Sequence, residues 1–377
     1  MRASFVGFAF VLLACGGAEP TNVGGNEAPP SSSPELPPSP PPPSGTTTST
    51  STPPTEPPKK LAFVAVTFNT GTSGSFEHDA PPNDGYGSEQ AKISSEYYGD
   101  GLAWSAAIAD TKAYLTKLQP DVIVFQEIFH SADCANIPQD KHTGYVCSTW
   151  KPGDPTVAQT VMGAGYQVAC NMGKPDKCAA VKTSFGKIRG CTGDLCVDGL
   201  AGAKVNGCGG GSRVGRGIID LVAGGELTIV NVHGSSGMKA EDTDCRKKQV
   251  EQVFVNLDGK PAANGARNLV MGDLNTDPGR LTSVDPSAER WRDFVGGAGG
   301  GKNQKFSFVT DVGSNATPTY DANLLGGFLG QGFNIDHIVS DAFVGSCWTA
   351  GVTSGHPAVT AIRYFDHKPV VCNLTEK

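Results

Sequence analysis

The sequence predicts a layered α/β domain in which two packed sheets carry helices on their outer faces. Three observations point there. Apolar runs of strand length outnumber helical patterns. Several of those runs are apolar on both faces, as strands covered on two sides must be. Residues 61–377 are also enough chain to bury one large core.

The elements follow in order. LAFVAVTFN (61–69) is the first strand, followed by a polar, Gly/Tyr-rich insert to about residue 101. Residues 102–120 have helical spacing through Trp104, Ile108, Tyr114, Leu115 and Leu118 and end at Pro120. DVIVFQE (121–127) is a strand. GYQVAC and CAAVKTS, within 165–184, form a hairpin, and a Gly/Cys-rich loop runs to residue 212. RGIIDLVA and ELTIVNVHG pair next. TDCRKKQVEQVFVNL (243–257) is helical, with Val250, Phe254 and Leu257 on one face. LVMGD, NIDHIVSD, AVTAIRYFD and PVVCNL complete the strands.

The first sixty residues are of another kind. Arg2 precedes an apolar stretch, Phe5 to Ala14, too short to span a bilayer. It ends in Leu12-Leu13-Ala14-Cys15, which resembles the lipobox of bacterial lipoproteins and implies an exported chain acylated at Cys15. Residues 16–60 are mostly Pro, Ser, Thr and Gly, a composition that buries no core and reads as a disordered tether. Gly16 is not the Asp that holds such lipoproteins at the inner membrane, so the outer membrane or cell surface is the expected location. Of the 11 cysteines, ten remain beyond Cys15, an even set that reads as disulfides in an oxidising compartment. Close spacing favours Cys170 with Cys178 and Cys191 with Cys196, and Cys347 and Cys372 flank the last strands. The net charge of −7 argues against a non-specific nucleic-acid coat, but not against a local basic groove.

Polar groups recur where strands stop: Asn69, Glu127, His233, Asp273 with Asn275, Asp336 with His337, and Asp366 with His367. Loops converge there, and ligand sites in sheet proteins form there. Singly, each has an ordinary reading as a turn, cap or surface residue. Their joint occurrence carries the argument.

That ordered set, with FQE at Glu127, NVH at His233, GDLN at Asp273 and Asn275, IDHI at Asp336 and DHKP at Asp366 and His367, resembles the endonuclease/exonuclease/phosphatase family, the DNase I-like fold. The resemblance spans essentially all of 61–377. It implies a four-layer α/β/β/α sandwich, a divalent metal (Mg²⁺, with Mn²⁺ or Ca²⁺ as alternatives) and hydrolysis of a phosphoester. It makes Glu127 the best metal ligand, with Asn69 beside it and Asp366 assisting. Asp273 would orient or deprotonate the attacking water while Asn275 donates to a phosphate oxygen. Asp336 would pair with His367, which contacts the phosphate or assists the water. His233 would protonate the leaving group or bind a phosphate oxygen. His337 points to the other strand face and reads as structural. The family's phosphate-binding Arg and Tyr have counterparts in Arg213 or Arg216 and in Tyr166.

Two departures narrow the branch. Abasic-site endonucleases carry Asp two residues after the first-strand Asn, where this chain has Gly71, and they lack a His at the position of His233. Both features favour the DNase I, sphingomyelinase and inositol-phosphatase side. The expected activity is therefore a metal-dependent phosphodiesterase. Its substrate is a nucleic acid, with Lys182, Lys187, Arg189, Arg213 and Arg216 lining a groove, or a phospholipid head group reached through the lipid anchor. No long apolar hairpin of the haemolytic sphingomyelinase kind is present. A phosphomonoesterase acting on inositol phosphates or nucleotides, and a non-catalytic binding module, are the other readings. The expected assembly is a monomer.

Overall fold

The computed structural model describes residues 60–72, 89–296, 305–313, 316–320, 332–362 and 364–377. Cys15 and nearly all of the expected tether lie outside the described residues. The strands and helices run β1 (Ala62–Asn69), α1 (Glu89–Tyr97), α2 (Ser105–Leu118), β2 (Val122–Gln126), α3 (Val157–Met162), β3 (Tyr166–Cys170) and β4 (Cys178–Lys182). They continue with β5 (Gly186–Ile188), β6 (Leu195–Cys196), β7 (Ala201–Lys204), β8 (Ser212–Leu221), β9 (Glu226–His233), α4 (Ala240–Phe254) and β10 (Asn268–Asp273). Last come α5 (Pro286–Phe294), β11 (Val295–Gly296), β12 (Phe306–Phe308), β13 (Asp336–Ser340), β14 (Phe343–Thr349) and β15 (Val370–Glu376).

Among the described residues these strands form two sheets. One has the order β14-β15-β1-β2-β4-β3-β6; the other has β11-β12-β13-β10-β9-β8-β5, with β7 beside β8. Alternation along each strand decides the layering. Phe63, Ala65, Val122 and Val124 of the first sheet meet Leu227, Ile229, Leu269, Met271 and Ile338 of the second in a shared core. The opposite face of the first sheet packs Val66, Phe68, Ile123 and Phe125 against Ile108 and Leu115 of α2 and Val161 of α3. The opposite face of the second packs Val230, Val232, Val270 and Val339 against Val250 and Val253 of α4 and Trp291 of α5. The architecture is the expected four-layer α/β/β/α sandwich.

Local chemistry sets the element ends. Gln119 closes α2 in the left-handed conformation, its N–H bonding to Leu115 O, and Pro120 prevents continuation. Asp285 caps α5 by accepting from Ser287 N, with Pro286 at the first helical position. Gly272 has φ of 150°, and a side chain there would run into the Val232 carbonyl of the neighbouring strand.

Several elements differ from the sequence reading. Residues 358–362 and 364–366 are irregular rather than a strand. Both edges of β15 are already taken, by β1 and by β14. The unforeseen β14 takes that place. A helix, α1, lies within the insert read as irregular, and α4 starts three residues before the expected Thr243. The three expected cysteine pairs form, Cys170–Cys178, Cys191–Cys196 and Cys347–Cys372, and two that were not foreseen, Cys134–Cys147 and Cys208–Cys245, use the remaining four cysteines. Among the described residues no helix is long and apolar enough to cross a membrane.

Candidate active site

Strand parity assembles the site. In β1, β2, β9, β10 and β13, the residues that continue the inter-sheet core toward one end are Asn69, Gln126, Asn231 with His233, Asp273 and Asp336. The apolar core thus turns polar at a single edge. Asp273 stands directly across from Asp336 on one side and His233 on the other. The polar layer is closed across the sheets. Gln126 Nε2 donates to Asn231 Oδ1 at 2.8 Å, and Asn231 Nδ2 donates to the carbonyls of Phe125 (2.9 Å) and Cys178 (3.1 Å). A buried amide left unpaired here would carry its full desolvation cost, so this set fixes the register of one sheet over the other.

Asp273 is the hub. Its Oδ2 accepts from Asn69 Nδ2 at 3.1 Å and Asn275 Nδ2 at 2.9 Å, and its Oδ1 accepts from Asn275 N at 2.7 Å. Both imidazoles reach the same oxygen: His233 Nε2 and His367 Nε2 each lie 3.7 Å from it. His367 Nδ1 bonds to Asp336 Oδ2 at 2.8 Å. His233 Nε2 also lies 3.3 Å from Glu127 Oε1. Three of the four non-glycine residues with positive φ among those described, Asp100, Glu127 and Asn275, belong to this region. Such backbone persists where surrounding structure over-determines it, commonly at functional sites.

The protonation pattern follows from burial and neighbours. For His367, burial is the largest single influence and opposes charge. Asp336, Asp273 and Asp366 together outweigh it and hold the imidazole well above its ordinary range. His233 goes the other way: burial, then Lys177 and Arg213, push it well below that range. Two carboxylates face it, at 3.3 Å (Glu127) and 3.7 Å (Asp273), yet burial and the nearby cations favour the neutral imidazole. Burial raises Asp273 to about 7, with the charged His367 opposing. Burial, then Asp366 and Asp100, raise Glu127 well above the carboxylate range, and burial raises Asp366 to about 6.

A divalent metal fits this donor set. Glu127, Asp366 and Asp100 offer only oxygens, the preference of a hard cation. Their mutual repulsion is what a cation would relieve, and Oδ1 of both Asp366 and Asp100 is buried without a partner. Glu127 is a quarter exposed, open enough to accept an ion. Asn69 is engaged at both ends, since its Oδ1 accepts from Gly71 N at 2.9 Å, so one oxygen lone pair remains. The buried group Asp273, Asp336 and His367 also brings its ligand atoms within 4.8 Å of one another. Its members Asp336 and His367 are already joined by a 2.8 Å hydrogen bond through Nδ1, and we assign that group to holding protons.

Gly71 now has a physical reason. A Cβ there would collide with Glu127 Oε2.

Other expected residues lie elsewhere. Tyr166 sits at the opposite end of the first sheet, across from Lys182, and its hydroxyl donates to Pro120 O at 2.8 Å. It does not approach the phosphate site, because β3 runs toward the site and begins with this residue. Arg216 is on the face of β8 turned away from His233, whereas Arg213 is on the same face and donates to Gly234 O at 3.1 Å. Lys182, Lys187 and Arg189 are at the far end as well; Arg189 is bonded to Asp220 and Glu226. His337 is held at both ring nitrogens, by Thr310 Oγ1 (2.8 Å) and Asn334 O (2.9 Å), on the outer face. The cations that do flank His233 with Arg213 are Lys174 and Lys177, from the β3–β4 loop. The sequence reading passed over them, and over Asp100, because a turn-rich Gly-Asp-Gly and a short Lys-Pro-Asp-Lys loop look like ordinary surface.

A sandwich whose polar edge gathers carboxylates, amides and two imidazoles defines a DNase I-like hydrolase class. A family model described as the Endonuclease/Exonuclease/phosphatase family matches residues 66–358, and the chain belongs to that family, whose members are hydrolases of phosphoester bonds. Among solved structures, the chain is similar to a D. rerio TDP2 humanized by 14 mutations, at 12% identity and TM-score 0.46, covering 83% of this chain and 98% of that one. It is similar to an endonuclease/exonuclease/phosphatase family protein from Bacteroides thetaiotaomicron, at 12% identity and TM-score 0.46, covering 85% and 96%. It is also similar to the AP endonuclease LMAP from Leishmania major, at 13% identity and TM-score 0.45, covering 84% and 88%. No curated protein sequence matches the chain.

Proposed function

We propose that this protein is a divalent-metal-dependent phosphodiesterase acting on nucleic acid or nucleotide diesters. One observation carries the reading: a single carboxylate oxygen, Asp273 Oδ2, lies 3.7 Å from the Nε2 of each of two imidazoles, His233 and His367, beside an all-oxygen cation site. A cation held by Glu127 and Asp366, with Asn69 and Asp100 alongside, would supply charge neutralisation at the phosphate and the leaving oxygen.

The chain's own residues do the rest. Asp273, oriented by Asn69 and Asn275, takes the proton of the attacking water. His367, kept charged by Asp336, donates a hydrogen bond to the phosphate and stabilises the charge that grows on it. His233 contributes a neutral Nε2–H beside the leaving oxygen. Lys174 and Lys177 share one carboxylate, Asp176, so together with Arg213 they leave a modest positive excess beside His233, which suits an anionic phosphate. Export with lipid attachment at Cys15 is part of the proposal and is supported by the five disulfides, which belong to an oxidising compartment.

The test is hydrolysis by the full chain, with Mg²⁺, of plasmid DNA, RNA, sphingomyelin and bis-p-nitrophenyl phosphate, with EDTA and His367→Ala as controls. EDTA-sensitive cleavage of nucleic acid that His367→Ala removes is the expected result. Turnover indifferent to both controls, or confined to sphingomyelin, would overturn it.

A further inference from the structure

Immediately beside Glu127 the surface opens into a groove of about 380 Å³. Ile128, Phe129 and Tyr98 form its floor, and Tyr97, His130 and Lys174 stand at its rim. The floor is rigid. Tyr98 stacks on Tyr145 at 4.6 Å, meets Phe129 edge-on at 5.1 Å, and donates its hydroxyl to Lys141 O at 2.9 Å. The groove abuts the backbone that carries Glu127, since Gly101 of its lining lies against the Glu127 carbonyl. Ile128 follows Glu127 directly, and its N–H donates to Asp176 O at 3.0 Å. That bond anchors the same Lys174–Lys177 loop that flanks His233.

We propose that this groove is a base-binding subsite, taking a nucleobase attached to the phosphate being cleaved; it rests on the phosphodiesterase reading above. Three features select this ligand. Aromatic side chains line it, and a nucleobase offers a π-face to each. Asp133 and Asn136 also line it, so a base edge finds acceptors and a donor. Its charge is nearly balanced: Asp176 accepts from both Lys177 (2.6 Å) and Lys174 (3.1 Å), leaving Asp133 as the carboxylate without such a pairing. An aromatic cage for a quaternary ammonium would instead keep a lysine away from its rim. The groove therefore suits a neutral planar group joined to an anionic phosphate.

The test compares two diesters with the same leaving group: the p-nitrophenyl ester of thymidine 5′-monophosphate and base-free methyl p-nitrophenyl phosphate. The full chain is assayed with Mg²⁺ as wild type, Tyr97→Ala and His130→Ala, both partly exposed rim positions. In wild type the thymidine ester is strongly preferred by kcat/KM. In Tyr97→Ala that preference falls by about tenfold or more, the effect of losing one base–aromatic stack. An equal loss on both esters, or an unchanged preference in both variants, would overturn the subsite.

Failure of the phosphodiesterase reading is separately visible as no turnover of either ester by wild type. Calorimetric binding of thymidine 5′-monophosphate to the EDTA-treated chain then decides the groove. Binding weakened in Tyr97→Ala supports it; binding that is absent or indifferent to Tyr97 overturns it. Tyr97-dependent binding of phosphocholine in place of the nucleotide also overturns it, in favour of a cationic head group.

Discussion

Replacing Asp336 by Asn tests the protonation pattern at its source. The change keeps side-chain volume but removes the charge facing His367 Nδ1 at 2.8 Å, in a pair almost wholly shielded from water. A hydrogen bond to a charged group contributes about 1.5–3 kcal/mol, so kcat should fall roughly ten- to two-hundredfold if His367 must be charged in the transition state. The pH dependence has a definite sign. The carboxylates raise the folded pKa of His367. The protonated imidazole therefore stabilises the fold fully below its unfolded pKa of about 6.5, and that contribution disappears as pH rises through the folded value. In Asp336→Asn the folded value drops, so the alkaline limb of kcat should move to lower pH. The assay is kcat against pH at saturating Mg²⁺, with imidazole NMR of His367 in the metal-free protein. An unmoved limb together with an unchanged kcat would refute the argument that Asp336 sets the charge on His367.

Four further outcomes are expected. Gly71→Ala should push the Glu127 carboxylate aside and raise the Mg²⁺ concentration needed for half-maximal activity by about tenfold or more, measured by metal titration. Arg246→Met should cost roughly 3–5 kcal/mol by chemical denaturation, because it leaves Asp285 without its buried cation. It should also lower kcat, since Arg246 Nη1 holds the carbonyls of Ser235 and Gly237 in the loop after His233. Asn231→Ala strands Gln126 and two carbonyls and should lower stability by about 1–3 kcal/mol, seen as a reduced Tm. Tyr166→Phe should leave kcat and KM unchanged, since its hydroxyl bonds at the far end of the sheet.

The site was legible in the sequence to the extent that strands carried it. Asn69, His233, Asp273 and Asp336 sit on strands whose alternation fixes their facing, so their convergence follows from apolar residues on the same face of each strand, Ala65, Ile229, Met271 and Ile338. Arg213 and Arg216 show where that fails. They differ by three positions and so lie on opposite faces of β8, which only its pairing with β9 decides. Loop residues were less readable still. Asp100 reaches the acidic cluster through a left-handed turn, and Lys174 and Lys177 reach His233 through a loop closed by Cys170–Cys178. For α5 a signal was present, Asp285 as cap and Pro286 as first residue, ahead of a helix of only nine residues. The AVTAIRYFD stretch had a strand's composition, but β14 takes the edge of β15 beside it.

The cross-strand row of His233, Asp273 and Asp336 has a consequence for how such a protein can change. The chain between these residues is long: one excursion contains α4, and the other contains α5, β11 and β12. Neither excursion sets the relative placement of the three side chains, because ladder hydrogen bonds between neighbouring strands do so. Lengthening, trimming or exchanging those excursions leaves the chemistry in place, whereas sliding β10 by one residue would turn Asp273 out of the site. New specificities can therefore be acquired by swapping segments around a fixed reactive row, and cleavage activity reports directly on whether a redesigned variant has kept its strands aligned.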